Sequence, residues 1–326
     1  MVKIAIIGAG QLGSRHLQAL SLIDREAAVD VVDPNPSSLE TAKKRFLEVS
    51  KETKVREVHY CSSLNDISNT IDVAIVASNS NVRRKIIEEL LAAKNVRALI
   101  LEKFLFQREE DFSAVSALLS KKNVSAWVNC PRRMWPVYQN IKKELQGEKP
   151  IELSVTGTSW ALGSNAIHMI DLFSYFSNST NYHIGFPDLD KIITQSKRNG
   201  YIEFTGRLSG EFSNHERFSI ACYNGSGINL VTYLRWEKTE FIIKESEGKV
   251  LIGKGNQEEK WKEEQFTVLF QSQLTHHAVE RIIDTRTCDL TPYEESQKLH
   301  LPLLRTFIKH LQILKPEEII TSCPIT

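Results

Sequence analysis

The sequence predicts an α/β fold in two parts, an N-terminal doubly wound parallel sheet followed by an α+β domain with a mostly antiparallel, open sheet. Up to about residue 128, apolar runs alternate with helical patterns, which indicates right-handed β-α-β units. Beyond residue 150, strand-like runs follow one another with few helices between them, which is typical of an antiparallel sheet. The length of 326 residues also favours two domains, because a single core rarely grows that large.

The strands and helices of the N-terminal part can be placed one by one. Short apolar runs predict buried parallel strands at 2–7, 27–33, 71–78, 96–103 and 124–130. Helical spacing and helix-start residues predict helices that begin after residue 10 and that cover 36–49, 80–94 and 108–122. We therefore predict a first domain at residues 1–128.

The remaining residues, 129–326, are predicted to form the second domain. Period-two alternation within 201–208 predicts one strand with two faces, with Ile202, Phe204 and Leu208 on one side and Glu203, Thr205 and Arg207 on the other. The stretch 244–250 predicts a hairpin turn. The stretch 291–314 predicts a C-terminal helix with Thr291 as its N-cap, which we expect to pack back on the first domain.

The composition excludes several classes of function. The net charge is +1 with no long block of like charge, so neither nucleic acid nor a membrane surface is an expected partner. The apolar run at 4–7 is far shorter than the roughly 20 residues of a membrane span. The five cysteines are scattered, which fits a reducing cytoplasm rather than a disulfide framework. His276 and His277 are adjacent and diverge by about 100° on a helix, so no metal site is predicted.

The stretch "AIIGAGQLGSRH" at 5–16 carries three glycines in G-x-G-x-x-G spacing behind an apolar strand and before a helix. Gly8 permits the tight turn, Gly10 lets the backbone approach a pyrophosphate, and Gly13 lets helix and strand pack closely. The helix N-terminus then offers free N–H groups to the phosphates. We interpret His16, a full turn into the helix, as part of the framework rather than as a catalyst.

Asp33 lies twenty residues past Gly13, at the end of the second predicted strand. Its carboxylate can accept hydrogen bonds from two ribose hydroxyls and would repel a 2′-phosphate. The following "PNP" supplies no arginine to neutralise such a phosphate, so the sequence favours NAD over NADP. To the same cofactor site we assign five further residues near the glycine loop or beyond strand ends: Gln11, Leu12, Ser78, Glu102 and Lys103.

Two stretches are candidates for the chemistry. Lys103 directly follows an apolar strand, where ligands of open parallel sheets bind, and its charge favours a developing alkoxide. His168 and Asp171 are three residues apart and share a helix face, so a histidine suited to proton exchange has an orienting carboxylate nearby. The alternatives are an exposed lysine at a strand end and a buried histidine bonded to a local aspartate. The spacing alone does not separate these interpretations.

Together, "GAGQLGSRH" at 8–16, "LEK" at 101–103 and "IHMIDLF" at 167–173 resemble the glucose–fructose oxidoreductase / inositol dehydrogenase / MocA (Gfo/Idh/MocA) family along essentially the whole chain. The resemblance implies an N-terminal Rossmann domain and a C-terminal domain whose open sheet forms a homodimer or homotetramer interface. It also implies an NAD(P)-dependent oxidoreductase of sugars, cyclitols or related carbonyl compounds. Glu102 and Lys103 match the family's glutamate-lysine-proline motif, His168 matches its catalytic histidine, and Asp171 matches the aspartate that follows.

The sequence departs from the family at two positions. The family's motif usually continues with proline, often after a cis peptide bond that aims the lysine, whereas this chain has Phe104. The family commonly has aspartate four residues before the histidine, where this chain has Ser164. Because serine cannot supply a carboxylate, the predicted proton relay rests on Lys103, His168 and Asp171.

Four further residues are candidates for substrate binding. In the family, an asparagine-x-arginine-like stretch borders the active site, and here Arg132 and Arg133 could pair with a carboxylate or phosphate. The alternative is two solvated arginines at a helix start. Trp160 could form an apolar wall and Asn165 could contact a hydroxyl, although packing is the more common role for a tryptophan.

The sequence therefore predicts a cytoplasmic NAD-dependent dehydrogenase or reductase. It would move a hydride between nicotinamide and a carbinol or carbonyl carbon of a sugar-like small molecule, acidic or nucleotide-linked. A rival interpretation is a cofactor-sensing protein of the same fold without turnover. A third is a reductase of a non-sugar carbonyl compound or an unsaturated pigment.

Overall fold

The computed structural model describes residues 1–255 and 261–326, which divide into two compact units. The first unit comprises 1–106, 110–131 and 269–294, and the second comprises 107–109, 132–268 and 295–326. No helix in these described ranges is long and apolar enough to cross a membrane. The chain thus leaves its first unit near residue 131, and residues 269–294 return to it.

The first unit is a parallel sheet with helices in sequence between its strands. Its strands are β1 (Val2–Ile7), β2 (Ala27–Val32), β3 (Val55–Cys61), β4 (Thr70–Ile71), β5 (Val73–Val76), β6 (Asn95–Val96), β7 (Ala98–Leu101), β8 (Ser125–Val128) and a late strand at Thr291–Pro292. Its helices are α1 (Gln11–Leu20), α2 (Pro36–Leu47), α3 (Ser80–Ala93), α4 (Glu109–Lys122) and a late helix at Thr275–Thr285.

The main sheet of this unit confirms the predicted doubly wound topology. Its order is β3-β2-β1-β5-β7-β8, all parallel, and the strand at 291–292 pairs antiparallel with β8 at the edge. All residues of β2, β5 and β7 are buried, as expected for strands covered on both faces. Because the order reverses between β1 and β5, a crevice opens there at the carboxyl ends of the strands.

Local chemistry explains how the helices begin. Asn35 is the N-cap of α2, where its side chain accepts a hydrogen bond from the Ser37 N–H, and Pro36 occupies the first helical turn. Gly10 directly precedes α1 with extended backbone angles. The free N–H groups of α1 therefore lie beside the glycine loop.

The segment 269–294 was not predicted to belong with the N-terminal sheet. It contains a 3-10 turn at Gln271–Gln273 and the helix at Thr275–Thr285, both of which contact α1. Its Thr291 and Pro292 form the edge strand, so Thr291 is a strand residue and not the predicted helix cap. A boundary at 128 therefore describes only where the chain first leaves this unit.

The second unit is built on one eight-stranded sheet. In chain order its elements are α5 (Pro136–Glu144), β9 (Glu152–Thr158), α6 (Leu162–Ser177), β10 (Tyr182–Leu189), β11 (Thr194–Gln195), β12 (Ile202–Glu203), β13 (Gly206–Phe212), β14 (Arg217–Tyr223), β15 (Val231–Arg235), β16 (Thr239–Lys244), β17 (Lys249–Lys254) and β18 (Lys262–Gln265). The late helix at 275–285 is α7, the edge strand at 291–292 is β19, and α8 is Tyr293–Leu314.

This second sheet confirms the predicted, mostly antiparallel architecture. The order is β10-β13-β14-β9-β15-β16-β17-β18, and only the β14–β9 pair is parallel. The hairpin predicted at 244–250 joins β16 to β17, with Gly248 at a φ of 62° in the turn. The helix expected at 291–314 is α8, which starts at Tyr293, and most of it, from residue 295, belongs to this unit.

The prediction of one continuous strand at 201–208 is wrong. β12 ends at Glu203 and β13 begins at Gly206, whose φ of 109° interrupts the extended chain. A side chain at Gly206 would place its Cβ 2.3 Å from the Asp188 carbonyl oxygen, so only glycine fits. Glu203 and Thr205 are consequently buried rather than facing solvent. The alternation failed because two short strands with a turn between them share the pattern of one.

Candidate functional site

A cleft of about 900 Å³ opens in the first unit at the reversal point of the parallel sheet. Gly8 and Gly10 line it from the glycine loop, Asp33 from the end of β2, and Ser78 and Asn79 from the loop before α3. Four of the predicted cofactor residues thus meet at one place. The size is suited to an extended, nucleotide-like ligand rather than to a single metal ion.

The three glycines have distinct structural roles. Gly8 has a φ of 100°, a left-handed conformation that favours glycine. A Cβ on Gly13 would lie 1.7 Å from the Gly8 carbonyl oxygen, so α1 approaches β1 as closely as backbone allows. A Cβ on Gly10 would meet nothing within 4 Å, which leaves open space beside the α1 N-terminus. The loop therefore fits a pyrophosphate, whose oxygens would have room where a side chain at Gly10 would otherwise project.

The carboxylate of Asp33 is held in place by the backbone on both sides. Its Oδ2 accepts the Ala9 N–H at 2.7 Å, and its Oδ1 accepts the Asn35 N–H at 2.8 Å. A carboxylate has about four acceptor positions, so two remain for the hydroxyls of a ribose. Its position at the cleft fits the predicted role in binding the sugar of the cofactor.

Ser78 adds a second sign that this cleft takes a polar ligand. Its hydroxyl is buried and has no hydrogen-bond partner within the described residues, although it belongs to a residue that lines the cleft. Such groups normally find a partner, and a bound ligand can provide one. Gln11 and Leu12 begin α1 without lining the cleft, and Gln11 Oε1 accepts a hydrogen bond from Arg45 at 2.7 Å. Their contact with a cofactor stays a prediction.

Glu102, at the end of β7, lies in a closed ring of five side chains, which we call the Glu102 ring. Its Oε1 contacts His16 Nε2 at 2.9 Å and accepts from Asn129 Nδ2 at 2.6 Å. Asn129 also donates to Gln271 Oε1, Gln271 Nε2 donates to Thr275 Oγ1, and Thr275 Oγ1 contacts His16 Nδ1, each at 2.8 Å. The ring joins α1, the ends of β7 and β8, and the returning segment.

The Glu102 side chain faces away from the cleft, and its predicted contact with the cofactor stays a prediction. The residue is 3% exposed and does not line the cleft, because its carboxylate is bonded inside the first unit. Burial pushes its pKa upward, but the hydrogen bond and charge of His16, the Asn129 hydrogen bond and, least of all, the charge of Lys103 hold the pKa below its usual value. His16 is a framework residue, as interpreted from the sequence, and its partner is this carboxylate.

Lys103 follows Glu102 and is half-buried. The Lys103–Phe104 peptide bond is cis, although the residue after it is not proline. Arg83, itself 1% exposed, donates from Nη1 to the Phe104 and Leu105 carbonyl oxygens and from Nη2 to the Ser78 carbonyl oxygen. The loop that carries Lys103 is thus held from both sides, by the Glu102 ring and by Arg83.

In the second unit, His168 lies on α6 and is half-buried. One turn earlier, the Ser164 hydroxyl donates to Glu203 Oε1 and the Ser164 N–H donates to Glu203 Oε2 at 3.2 Å. Gly163 allows this approach, because a Cβ there would lie 3.0 Å from the same Oε2. A buried carboxylate therefore stands beside Ser164, supplied by β12 rather than by residue 164 itself.

The other predicted groups on this unit are engaged in ion pairs. Arg133 Nε donates to Asp171 Oδ2 at 2.7 Å, and both side chains are at least 90% buried. Arg132 donates twice to Glu245, each time at 2.7 Å. Burial pushes the pKa of Glu245 upward, but the charge and hydrogen bonds of Arg132 together with the hydrogen bond from Tyr138 hold that pKa below its usual value. The two arginines are thus not solvated, and substrate binding by either stays a prediction.

Trp160 and Asn165 make local hydrogen bonds. Trp160 Nε1 donates to the Ala221 carbonyl oxygen at 2.9 Å, and Asn165 Nδ2 donates to the Trp160 carbonyl oxygen at 2.8 Å. Both therefore stabilise the loop before α6, and their contact with a substrate stays a prediction. Among the residues in 1–255 and 261–326, no group of three or more histidine, cysteine or acidic side chains is placed to hold a metal ion.

Sequence reasoning missed the residues that hold these candidates in place. They are Arg83, Asn129, Glu203, Gln271 and Thr275. Each has at least one partner more than 20 residues away, so local spacing contains no signal for that contact.

The cleft, the glycine loop and Asp33 together define the first unit as a dinucleotide-binding Rossmann domain. Residues 2–130 match the family described as "Oxidoreductase family, NAD-binding Rossmann fold", GFO_IDH_MocA. This match confirms the resemblance to the Gfo/Idh/MocA oxidoreductases over the N-terminal region. No curated protein matches the sequence.

Solved structures share the fold over nearly the whole chain. UDP-N-acetylglucosamine 3-dehydrogenase GnnA from Acidithiobacillus ferrooxidans has a TM-score of 0.71 at 12% identity, covering 94% of this chain and 96% of that one. An oxidoreductase from Agrobacterium radiobacter in complex with NAD+, L-tartaric acid and magnesium has a TM-score of 0.70 at 13% identity, covering 93% and 94%. A super-repressor mutant of Gal80p from Saccharomyces cerevisiae has a TM-score of 0.72 at 13% identity, covering 95% and 96%.

The glycine geometry predicts different outcomes for two alanine substitutions. Gly13→Ala forces a Cβ into the Gly8 carbonyl and should lower the free energy of unfolding by about 3 kcal/mol or more. Gly10→Ala should fold with a stability within about 1 kcal/mol of wild type but bind NAD at least tenfold more weakly. Urea unfolding and calorimetric titration with NAD measure the two effects. Unimpaired NAD binding by Gly10→Ala would place the pyrophosphate elsewhere.

The Arg133–Asp171 pair predicts a large stability effect. Asp171→Ala leaves a buried guanidinium without its carboxylate and should cost about 3–5 kcal/mol in urea unfolding. Replacing both residues, Arg133→Met with Asp171→Leu, should recover most of that loss because no buried charge remains. If the single variant is no less stable than the double variant, the pair does not neutralise a buried charge.

Proposed function

We propose that this protein is an NAD-dependent dehydrogenase or reductase that acts on a carbinol or carbonyl carbon of a sugar-like small molecule. The observation that carries the proposal is the cleft in which Gly10 leaves room for a pyrophosphate and Asp33 presents a fixed carboxylate. The match of residues 2–130 to an NAD-binding oxidoreductase family supports the reaction class. The fixed carboxylate of Asp33 supports NAD over NADP, since it would repel a 2′-phosphate.

NAD, when bound, supplies the hydride acceptor at C4 of its nicotinamide. The glycine loop would hold its pyrophosphate and Asp33 its ribose, and Ser78 has a buried hydroxyl without another partner in the described residues. In the oxidation direction, His168 takes the proton of the substrate hydroxyl as its carbon loses a hydride. Lys103 donates a hydrogen bond to the oxygen on which negative charge develops. Asp171, neutralised by Arg133, fixes the α6 helix that carries His168.

A sugar-like substrate is supported by the neighbour whose name states that it is a UDP-N-acetylglucosamine dehydrogenase. An acidic substrate is supported by the neighbour bound to NAD+ and L-tartaric acid. Because Arg132 and Arg133 are already paired with carboxylates, an acidic group on the substrate competes with Glu245 or Asp171 for them. A neutral hydroxylated ring avoids that competition, and we propose it first for screening.

The assembly and location follow from the resemblance and remain part of the proposal. We propose a cytoplasmic homodimer or homotetramer that forms through the open sheet of the second unit. The scattered cysteines are all free in the described structure, as suits a reducing compartment. Sedimentation equilibrium of the purified chain distinguishes these states from a monomer.

A second candidate is a protein that senses NAD or another ligand without turnover. One neighbour of the same fold is a super-repressor mutant of Gal80p, so its printed name describes a repressor rather than an enzyme. A reductase of a non-sugar carbonyl compound is the other alternative. Exchange of deuterium between labelled NADH and candidate ketones separates an enzyme from a sensor, because a sensor breaks no C–H bond.

The His168 substitution tests the proposed proton transfer. His168→Asn should leave NAD affinity within about threefold and reduce turnover by about 10²- to 10⁴-fold, since the proton acceptor is lost. His215→Asn is the matched control, because His215 is exposed in the same unit and has a φ of 68°, which asparagine tolerates. Stopped-flow absorbance of NADH at saturating substrate measures turnover. Unchanged turnover in His168→Asn would show that another residue is the base.

The Asp33 substitution tests the cofactor preference. Asp33→Asn removes the charge that repels a 2′-phosphate, so the ratio of NADP to NAD affinity should rise by at least about tenfold. Glu48→Gln, an exposed residue at the end of α2 that does not line the cleft, is the control for lost surface charge. Calorimetric titration with both cofactors measures the ratio. An equal ratio in wild type and Asp33→Asn contradicts the assigned role.

A further inference from the structure

We propose that Glu102, held by His16 and Asn129, is a positioning residue that keeps the Lys103 ammonium charged and fixes the backbone from which it extends. The proposal rests on the proposed function, in which Lys103 stabilises charge on the substrate oxygen. It assigns a role to the histidine that follows the glycine loop and to a carboxylate that does not line the cofactor cleft.

The first argument is the burial of the carboxylate. An ionised carboxylate that is 3% exposed is costly unless donors surround it. His16 and Asn129 both contact the same oxygen, Oε1, at 2.9 and 2.6 Å. Because a carboxylate only accepts hydrogen bonds, the His16 ring carries its proton on Nε2. These two donors therefore stabilise the ionised form of the Glu102 carboxylate and fix its position.

The rest of the ring holds the two donors. Thr275 Oγ1 contacts the opposite nitrogen of His16 at 2.8 Å, which fixes the plane of the imidazole. Gln271 Oε1 accepts the second Asn129 N–H at 2.8 Å. Each donor to Glu102 is thus oriented by a second partner, an arrangement that tightens a buried network. The side chain of Glu102 cannot turn toward the cleft without breaking these bonds.

The second argument is electrostatic. The positive charge of Lys103 is among the causes that hold the pKa of Glu102 below its usual value. The interaction is mutual, so the ionised Glu102 favours the charged ammonium of Lys103. Removing the negative charge should therefore lower the pH at which Lys103 loses its proton.

The third argument is the support on the other side of Lys103. Arg83 donates to the carbonyl oxygens of Phe104 and Leu105, the two residues after the lysine. It also donates to the carbonyl oxygen of Ser78, which lines the cofactor cleft. The backbone is therefore held before Lys103 by Glu102 and after it by Arg83. Lys103 extends from a fixed segment, as a group that meets a substrate oxygen must.

The test follows the titration of Lys103 directly. The full chain is labelled with ¹³C at the lysine Cε, saturated with NAD, and titrated by NMR, with Lys103→Gln identifying the signal. Glu102→Gln should shift the Lys103 midpoint to lower pH. Glu102→Asp should keep the charge but shorten the reach, so the midpoint should stay near wild type while turnover falls.

Two controls keep this test decisive. Glu216→Gln alters another buried carboxylate, bonded to Asn214 in the second unit, and should leave the Lys103 midpoint unchanged. If Glu102→Gln does not fold, Asn129→Ser removes one donor while keeping the charge of the carboxylate. The Lys103 midpoint should then stay near wild type while turnover falls, and unchanged turnover would overturn the positioning role. Thermal unfolding identifies a variant that has lost its structure.

The outcomes separate this proposal from the proposed function. A midpoint that is unchanged in folded Glu102→Gln overturns the positioning role, whether or not the protein turns over substrate. A tenfold loss of NAD affinity with an unchanged midpoint also overturns it, because Glu102 would then act on the cofactor. A downward shift in Glu102→Gln, combined with a wild-type protein that catalyses no hydride exchange, supports the electrostatic role and contradicts the dehydrogenase assignment alone.

Discussion

The buried carboxylate of Glu102 is the constraint on which the first unit depends. A charge inside a protein must be neutralised or hydrogen-bonded, and here the donors come from α1 and from the end of β8. Their own partners come from the segment 269–294, which returns to this unit after the whole second unit has been built. The hydrogen bonds that stabilise the Glu102 carboxylate thus connect parts of the chain that are far apart in sequence.

The same principle organises the second unit, where charges pair with each other. Arg133 and Asp171 hold α6 against the segment before α5, and Arg132 pairs with Glu245 in the turn between β16 and β17. Glu203 completes the set by accepting two hydrogen bonds from Ser164 at the start of α6. The helix that carries His168 is therefore positioned by carboxylates and a guanidinium rather than by apolar packing alone.

The fold and the cofactor loop were predictable because their signals are local. Buried parallel strands need continuous apolar runs, and the glycines at 8, 10 and 13 are needed for conformation, space and close approach. The edge strand β19 and helix α7 were not assigned to the first unit, because pairing with β8 and packing on α1 depend on contacts across more than 150 residues. The break between β12 and β13 was not predicted, because the alternation of apolar and polar residues within 201–208 continues across it.

For the candidate residues too, local relations could be predicted from the sequence and contacts with distant residues could not. The sequence by itself determined that Asp33 ends a strand near the glycine loop, that Lys103 follows Glu102 at a strand end, and that His168 and Asp171 share a helix, since spacing along regular elements fixes these relations. Only the tertiary structure decided that Glu102 faces the interior, where it contacts His16. The same holds for the ion pair of Arg133 with Asp171 and for the hydrogen bond of Ser164 to Glu203. The physical reason is that a polar side chain takes its role from the partner that satisfies it, and these partners are distant in sequence.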